Sequence, residues 1–401
     1  MLVAALVAGL VAAQQDHSSL VDANVLRLTR IRARMIENLR EMPNYTCLQT
    51  IERSRRRARA RRFELLDTLR LEVALVAGKE MFSWPGAGRF EDREISELVP
   101  GGAIGNGNFA IHAKSVFQSN APRFEYEGPR EENGRRLHRY RYIVPRLLSG
   151  FKVKLGTAEG IAGYHGSFDA DAGTLDLVSL DVFTDDIPTN VPISVASDEL
   201  RYARTHIGER DFLLPESSIM TITDLEGNES RNRTAFSQCR QYSGQSTISF
   251  ADPPPQGTPA EPVPVPVDLP EGLLLDVRLE TSIVFGKAAI GDPLEGRLGS
   301  DARFHGRTFV PKNALVRGRL LRIERFQTNV PITRLAIEFN ELEFPGARAS
   351  FRATLEDFGP VVPGVSTAAD KQGIIVMRGS RQEIARGVRM LWRIERKENN
   401  K

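Results

Sequence analysis

The sequence predicts a mainly β protein of the α+β class, in which one leading helix packs on antiparallel sheet and a second β-rich unit follows. Three observations carry this reading: a 3.6-residue apolar period over residues 18–42, period-two alternation in short segments from Tyr45 onward, and a proline-dense stretch at residues 251–270. The chain has 401 residues, more than one core usually supports, because cores stop growing near roughly 250 residues and longer chains divide. We read residues 1–15 as an export segment, 16–250 as a helix-plus-sheet domain, 251–270 as a linker and 271–397 as a β-rich domain.

Leu2 to Ala13 form an unbroken run of apolar residues and glycine ahead of the polar Gln14, Gln15 and Asp16. The run is too short to cross a hydrocarbon core, which needs about 20 residues, and Val11 and Ala13 suit cleavage just after Ala13. It reads as a secretory signal segment. No Lys or Arg precedes it, so the real start is expected upstream. The expected location is periplasmic or outer-membrane associated.

Residues 18–42 place Val21, Val25, Leu28, Ile31, Met35, Ile36 and Leu39 on one helical stripe, with Arg27, Arg30, Arg32, Arg34 and Arg40 among them. Ser19 with Asp22 gives an N-terminal capping signal, and Pro43 stops the helix. The stripe lacks Trp and Phe, which favours packing on a sheet over lying on an anionic membrane. From Tyr45 the period changes to two, in segments of five to ten or so residues separated by Gly, Pro, Asn and Asp. Within this meander, residues 101–108 (GGAIGNGN) read as a flexible connection and 109–118 as a short helix.

Eight prolines fall between positions 253 and 270. Such a stretch is not expected to supply a sheet ladder and favours an extended spacer of about 3.1 Å per residue. Beyond it, alternation resumes from residue 273 to 396, with one helical span expected at 380–386.

Hydrophobic residues make up 41% and charged residues 26%, the balance of a soluble globular protein, and no later apolar run is long enough to span a membrane. A net charge of +3, from 54 Lys and Arg against 51 Asp and Glu, is too even for a protein built overall to hold a polyanion. Cys47 and Cys239 are the only cysteines. In an oxidising compartment they read as one disulfide, and two buried thiols fit equally well.

Residues 163–177 (GYHGSFDADAGTLDL) have the form G-x-x-G-x-x-x-D followed by T-L-x-L: strand, Asp-rich turn, strand. With the leading helix, the long meander and the strand ending in Phe212, Leu213, Leu214 and Pro215, residues 18–245 resemble the periplasmic lipoprotein-carrier and sigma-factor-regulator superfamily. That resemblance implies a curved antiparallel half-barrel wrapped around helices, with an apolar concavity for acyl chains. By the same resemblance, Phe82, Trp84, Phe109, Phe117, Tyr164 and Phe168 lie near the groove; ordinary core aromatics explain the same residues. Residues 43–53 (PNYTCLQTIER) look like the opening strand of exported proteins common in acidobacteria, from which no activity is carried over. Residues 291–298 and 310–318 look like the β-barrel domain of conjugative-secretion outer-membrane channel proteins, which implies a small β-barrel or sandwich.

Seven arginines stand within ten residues, at 53, 55, 56, 57, 59, 61 and 62, between two strand patterns and so at a hairpin tip. Planar guanidinium groups suit bidentate contact with phosphate or carboxylate, which makes Arg55, Arg56, Arg57 and Arg59 candidate contacts for an anionic envelope surface or lipid headgroup. A solvated, self-repelling loop explains the same run. Export removes most nucleic-acid partners, and none is expected. Asp169, Asp171 and Gly173 begin like a calcium loop, but position 180, where the completing acid belongs, is Leu180, so they read as a β-turn. No two histidines fall at i, i+4, and no H-E-x-x-H, G-x-S-x-G or Walker sequence occurs. Asp185 and Asp186 are adjacent on a strand end and point to opposite faces, a poor acid/base couple.

The expected role is a non-catalytic binding protein of the cell envelope, holding an acyl chain or apolar peptide without a cofactor, with lipid, lipoprotein or an envelope protein as partner. Two rivals stand beside it. One is a structural or sensory protein that displays its second domain. The other is an envelope-polymer hydrolase, which needs two carboxylates about 5 to 9 Å apart in a cleft.

Overall fold

The computed structural model describes residues 16–76, 79–87, 90, 95, 111–242, 264–326, 329–359, 365–367, 374–379 and 383–396. The export segment, residues 101–108, Phe109 and positions 251–263 of the proline-rich stretch lie outside the described residues.

Helix α1 (Asp16–Glu41) leads into the first sheet. Its strands are β1 (Tyr45–Arg56), β2 (Glu64–Val76), β3 (Lys79–Ser83), β4 (Arg123–Glu132), β5 (Arg135–Val144), β6 (Phe151–Leu155), β7 (Ala158–Asp171), β8 (Leu177–Asp185), β9 (Ile193–Ile207), β10 (Arg210–Asp224) and β11 (Glu229–Gln241). A seven-residue helix, α2 (Ile111–Phe117), sits between β3 and β4. The hydrogen-bonded order is β3-β2-β1-β11-β10-β9-β8-β7-β5-β4, with β6 on β7, so the first strand of the meander pairs with its last. All these pairs are antiparallel, and the sheet curves into a half-barrel around the helices.

Apolar spacing decides which helix face is covered. Ile31 and Met35, one turn apart, are buried against the sheet, with Leu28 and Leu39 partly buried beside them. Each fully buried side chain of this size contributes about 1.5–3 kcal/mol. Val25, on the predicted stripe, is exposed. Three of the helix arginines tie α1 to its neighbours: Arg27 lies over the Tyr126 ring, Arg34 bonds Asp176, and Arg32 reaches the segment after α2. Arg32 Nη2 donates to the Ser119 carbonyl at 2.9 Å, and Asn38 exchanges two 2.9 Å bonds with the Leu213 backbone.

The second sheet is built from β12 (Val265–Pro266), β13 (Leu274–Leu279), β15 (Pro293–Leu298), β18 (Leu315–Phe326), β19 (Ile332–Phe344), β20 (Ala347–Ser350), β21 (Ala353–Gly359), β22 (Val365–Thr367), β23 (Ile374–Arg378) and β25 (Arg389–Ile394). Two small ribbons, β14 (Ile283–Val284) with β24 (Glu383–Ile384) and β16 (Ala302–Phe304) with β17 (Arg307–Val310), complete it. Along β10, Leu213 faces the helices, while its neighbours Phe212 and Leu214 point the other way into a second core. That second core is shared: Leu69, Leu71 and Val73 of β2 pack with Leu275, Leu320, Phe339 and Trp392 of the second sheet.

Two expectations are corrected. Residues 380–386 do not form a helix where they are described: Ile384 is buried in a short strand opposite Ile283, and Gly387, at φ 88°, turns the chain immediately after. The proline-rich stretch does supply a ladder at its end, because β12 is a one-sided edge strand. Val265 and Val267 donate to the Gly346 and Arg348 carbonyls at 2.9 Å, and Pro266 stands between them where no amide is required.

Candidate functional site

The concave face of the half-barrel is aromatic because β4, β5 and β7 each place rings on the same side. Tyr140 stacks on Phe168 at 5.2 Å, Phe124 approaches Phe168 at 6.1 Å, and Tyr126 tilts on Tyr140 at 5.0 Å. Farther along, Phe151 lies 5.5 Å from Tyr164, which is 6.2 Å from Tyr142. Offset and edge-to-face pairs of this kind add about 0.5–1.5 kcal/mol each beyond area burial. Burial pushes the Tyr164 hydroxyl up to about 12 and the Tyr142 hydroxyl well above its ordinary value, so both are neutral.

Two helices close this face. From α1 come Ile31 and Met35; from α2 come Val116 and Phe117, both fully buried, with Phe117 edge-on to Phe168 at 5.0 Å. A helix of seven residues is too short to be stable alone and is held by tertiary contacts. One of them is polar: His112 Nε2 lies 2.9 Å from Asp198 Oδ2 on β9, with both residues buried and the imidazole stacked on Phe151 at 5.5 Å. Among the described residues, Asp198 Oδ1 has no partner.

Beside the C-terminal half of α1 lies a cleft of about 130 Å³, lined by Arg34, Asn38, Asp176, Arg204, Arg210 and Leu213 among others. Asp176 Oδ1 accepts from Arg34 Nε at 2.7 Å, and Oδ2 accepts from Arg204 Nε at 2.9 Å. Burial alone would raise this carboxyl, but the Arg204 and Arg34 bonds outweigh it and hold it below its ordinary value. An acid so held stays ionised and cannot lend a proton, which suits anchoring the helix better than catalysis.

The six aromatic candidates fall in different places. Phe117, Tyr164 and Phe168 are buried on the concave face. Phe82 and Trp84 belong to the core shared with the second sheet, where Arg319 lies over the Trp84 ring at 5.7 Å. Phe109 is outside the described residues. Of the arginine run, Arg53 is buried and donates twice to Asp67, at 2.7 and 2.5 Å. Arg55 faces Glu64 at 3.7 Å and Arg56 meets Glu229 at 2.6 Å, while Arg57 and Arg59 are exposed at the β1–β2 tip. Cys47 and Cys239 are joined as a disulfide.

Asp169 is wholly buried and accepts from Arg139, Arg130 and Ser179, while Asp171 caps its turn by accepting from the Gly173 and Thr174 amides at 2.8 and 2.7 Å. Among the described residues no group of three His, Cys, Asp or Glu is placed to hold a metal ion. Sequence reasoning missed the His112–Asp198 pair, whose members lie 86 positions apart and carry no local spacing signal. It also missed the role of Asp176, which ties α1 to β9 through residues 142 and 28 positions away.

No family model matches the chain, and no curated protein matches it. Among solved structures, the chain is similar to an outer membrane lipoprotein-sorting protein domain from Vibrio parahaemolyticus, at 12% identity and TM-score 0.31, over 54% of this chain and 92% of that one. It is similar to a LolA superfamily protein from Nitrosomonas europaea, at 9% identity and TM-score 0.29, over 53% and 94%. A DUF1329 family protein from Desulfovibrio piger also matches, at 11% identity and TM-score 0.31, over 55% and 93%.

Proposed function

We propose that the chain is an exported, non-catalytic binding protein of the cell envelope, whose half-barrel takes an acyl chain or apolar peptide between the sheet and its helices. One observation carries the reading: the aromatic concave face is closed by α1 and by a seven-residue helix rather than by a second sheet. Displacing α2 would uncover the Phe168 ring that Phe117 meets and the Phe151 ring that His112 stacks on. A guest that replaced Val116 and Phe117 would restore the lost burial, so the exchange is near balance in area. Among the described residues no helix is long and apolar enough to cross a membrane.

A second reading has its own observation. With Phe117, Tyr140 and Phe168 filling the concavity, the half-barrel is complete without a ligand, as a structural or display module would be. Native mass spectrometry of protein isolated from membrane fractions separates the two, together with saturable binding of a fluorescent fatty acid. A co-purifying lipid mass and probe binding displaced by unlabelled fatty acid support the carrier. A bare protein that takes up no probe while folded leaves the structural module.

A further inference from the structure

The β1–β2 hairpin tip carries charge that the fold does not compensate. Arg53, Arg55 and Arg56 each have an acid partner, whereas Arg57, Arg59, Arg61 and Arg62 are exposed and have no ion-pair partner among the described residues. The reason is geometric: β2 supplies Asp67 and Glu64 opposite Arg53 and Arg55, and β11 supplies Glu229 opposite Arg56, but past Arg56 the chain leaves both ladders. The neighbouring β10–β11 turn lies against the tip, with the Asn228 carboxamide oxygen accepting from the Ala58 amide at 3.3 Å. That turn carries two acids, both engaged within it: Asp224 accepts from the Glu226 and Asn228 amides at 2.9 and 2.8 Å, and Glu226 Oε2 accepts from the Asn228 carboxamide at 3.3 Å.

Two large apolar side chains flank these arginines in water. Leu65 is 62% exposed at the start of β2, and Leu225 is 68% exposed at the β10–β11 turn. Between the hairpins, Phe63 is covered by guanidinium groups, with Arg231 at 3.6 Å and Arg56 at 5.0 Å from its centroid. Uncompensated guanidinium groups beside protruding leucines match a bilayer interface, where phosphates meet the first methylenes of the acyl chains. A nucleic-acid groove would use the charges and leave the leucines without a partner.

We infer that the paired tips of β1–β2 and β10–β11 form a docking surface for anionic lipid bilayers, with Arg57, Arg59, Arg61 and Arg62 on the phosphates and Leu65 and Leu225 dipping below them. This surface stands at the far end of β1 from Tyr45, roughly 35 Å along the strand, and its occupancy does not depend on whether the half-barrel holds a guest.

Co-sedimentation of the full chain with vesicles tests it, using phosphatidylcholine alone and phosphatidylcholine with about one-third phosphatidylglycerol. Binding is expected only to the anionic vesicles, and is lost near 1 M salt, where the screening length falls to about 3 Å. Each arginine near such a surface contributes about fivefold in partitioning. The quadruple variant Arg57→Gln, Arg59→Gln, Arg61→Gln, Arg62→Gln is therefore expected to bind at least about tenfold more weakly after screening. Leu65→Ser with Leu225→Ser should weaken binding to anionic vesicles while leaving the salt dependence in place. All six positions are exposed, so far-ultraviolet dichroism and the melting temperature should match the parent's. Equal binding by the quadruple variant, equal binding to neutral vesicles, or displacement from anionic vesicles by a short DNA duplex at equal phosphate concentration overturns the inference.

Discussion

Cys47 on β1 reaches Cys239 on β11 because β11 carries a bulge at that point. The register runs Gln49 to Phe236 and Leu48 to Ser237, then steps to Thr46 opposite Arg240, so Gln238 and Cys239 together oppose Cys47. Along β11, Asn232, Thr234 and Phe236 are buried in alternation, which on a regular strand would turn position 239 to the other face. Gln238 adopts φ 50°, absorbs the extra residue and brings Cys239 round to Cys47.

Closing a loop across 192 positions restricts the unfolded chain, and on the loop-entropy account contributes about 5 kcal/mol at most. Replacing both cysteines by serine is expected to lower the urea midpoint and to steepen the transition, because the unlinked unfolded chain is more expanded and exposes more surface. Intact mass after alkylation, with and without reductant, should show two labels appearing only on reduction.

The glycines of the G-x-x-G strand motif are not interchangeable. A Cβ on Gly166 would lie 1.8 Å from the Asp181 carbonyl oxygen and 2.8 Å from Tyr142 Oη, so β8 would have to move away from β7. Gly166→Ala is expected to cost about 3 kcal/mol or more, as overpacking against backbone does. Gly150→Ala, where nothing stands within 4 Å, is the matched control and should fall within about 0.5 kcal/mol of the parent in thermal unfolding.

Much of this architecture was legible in the residues. The 28, 31, 35, 39 spacing of α1 and the alternation of β1, β2 and β15 are local signals that a single core face imposes on sequence. What was not legible depends on partners distant in sequence. Arg53 looks like the first member of a solvated arginine run, yet it is buried because Asp67 lies opposite it, beyond a turn. Ile384 reads as part of a short helix until Ile283, a hundred positions away, offers it a strand partner. The aromatic candidates show the same limit: Phe82 and Phe168 are alike in composition, and only the topology sends one to the shared core and the other under the helices.

The two sheets are stitched at one strand edge. The Arg70 amide donates to the Ile290 carbonyl and the Ile290 amide to the Thr68 carbonyl, both at 2.8 Å, while Arg70 Nη1 holds Asp292 at 2.6 and 2.7 Å. Gly291, at φ 98°, makes this approach, and a Cβ there would meet the Arg70 carbonyl oxygen at 2.3 Å and the Trp84 ring at 2.6 Å. The parent is expected to unfold in one calorimetric transition because Leu69 and Leu71 share a core with the second sheet. Gly291→Ala should split or broaden it; a single unshifted transition would show that the seam carries little of the coupling.

Acid should draw stability out of the β7–β8 turn only below about pH 4. Burial alone would raise the Asp171 carboxyl, but the Thr174 amide, the Arg135 guanidinium and the Gly173 amide bring it down from 3.8 to about 2. A carboxyl lowered in the folded state stabilises fully above its unfolded value, near 3.8, and that contribution disappears as pH falls through about 2. Asp171→Asn is therefore expected to flatten the stability profile between about pH 4 and 2 and to leave the slope above pH 5 unchanged. Chemical denaturation at stepped pH checks it.

Phe117 decides between a half-barrel that is merely filled and one that can be filled by something else. The ring is wholly buried, edge-on to Phe168, and sits on the helix that closes the concave face. Phe117→Ala should cost about 3–5 kcal/mol, from lost transfer energy and the void left behind. If the concavity accepts guests, a fatty acid supplied in excess restores part of that loss by binding the folded state alone, raising the variant's melting temperature more than the parent's. If it does not, the variant melts lower and is indifferent to fatty acid, because the neighbours collapse into the void. His112→Ala, which removes the hydrogen bond of α2 to Asp198 while leaving Phe117 in place, should then also be indifferent to fatty acid in the same assay.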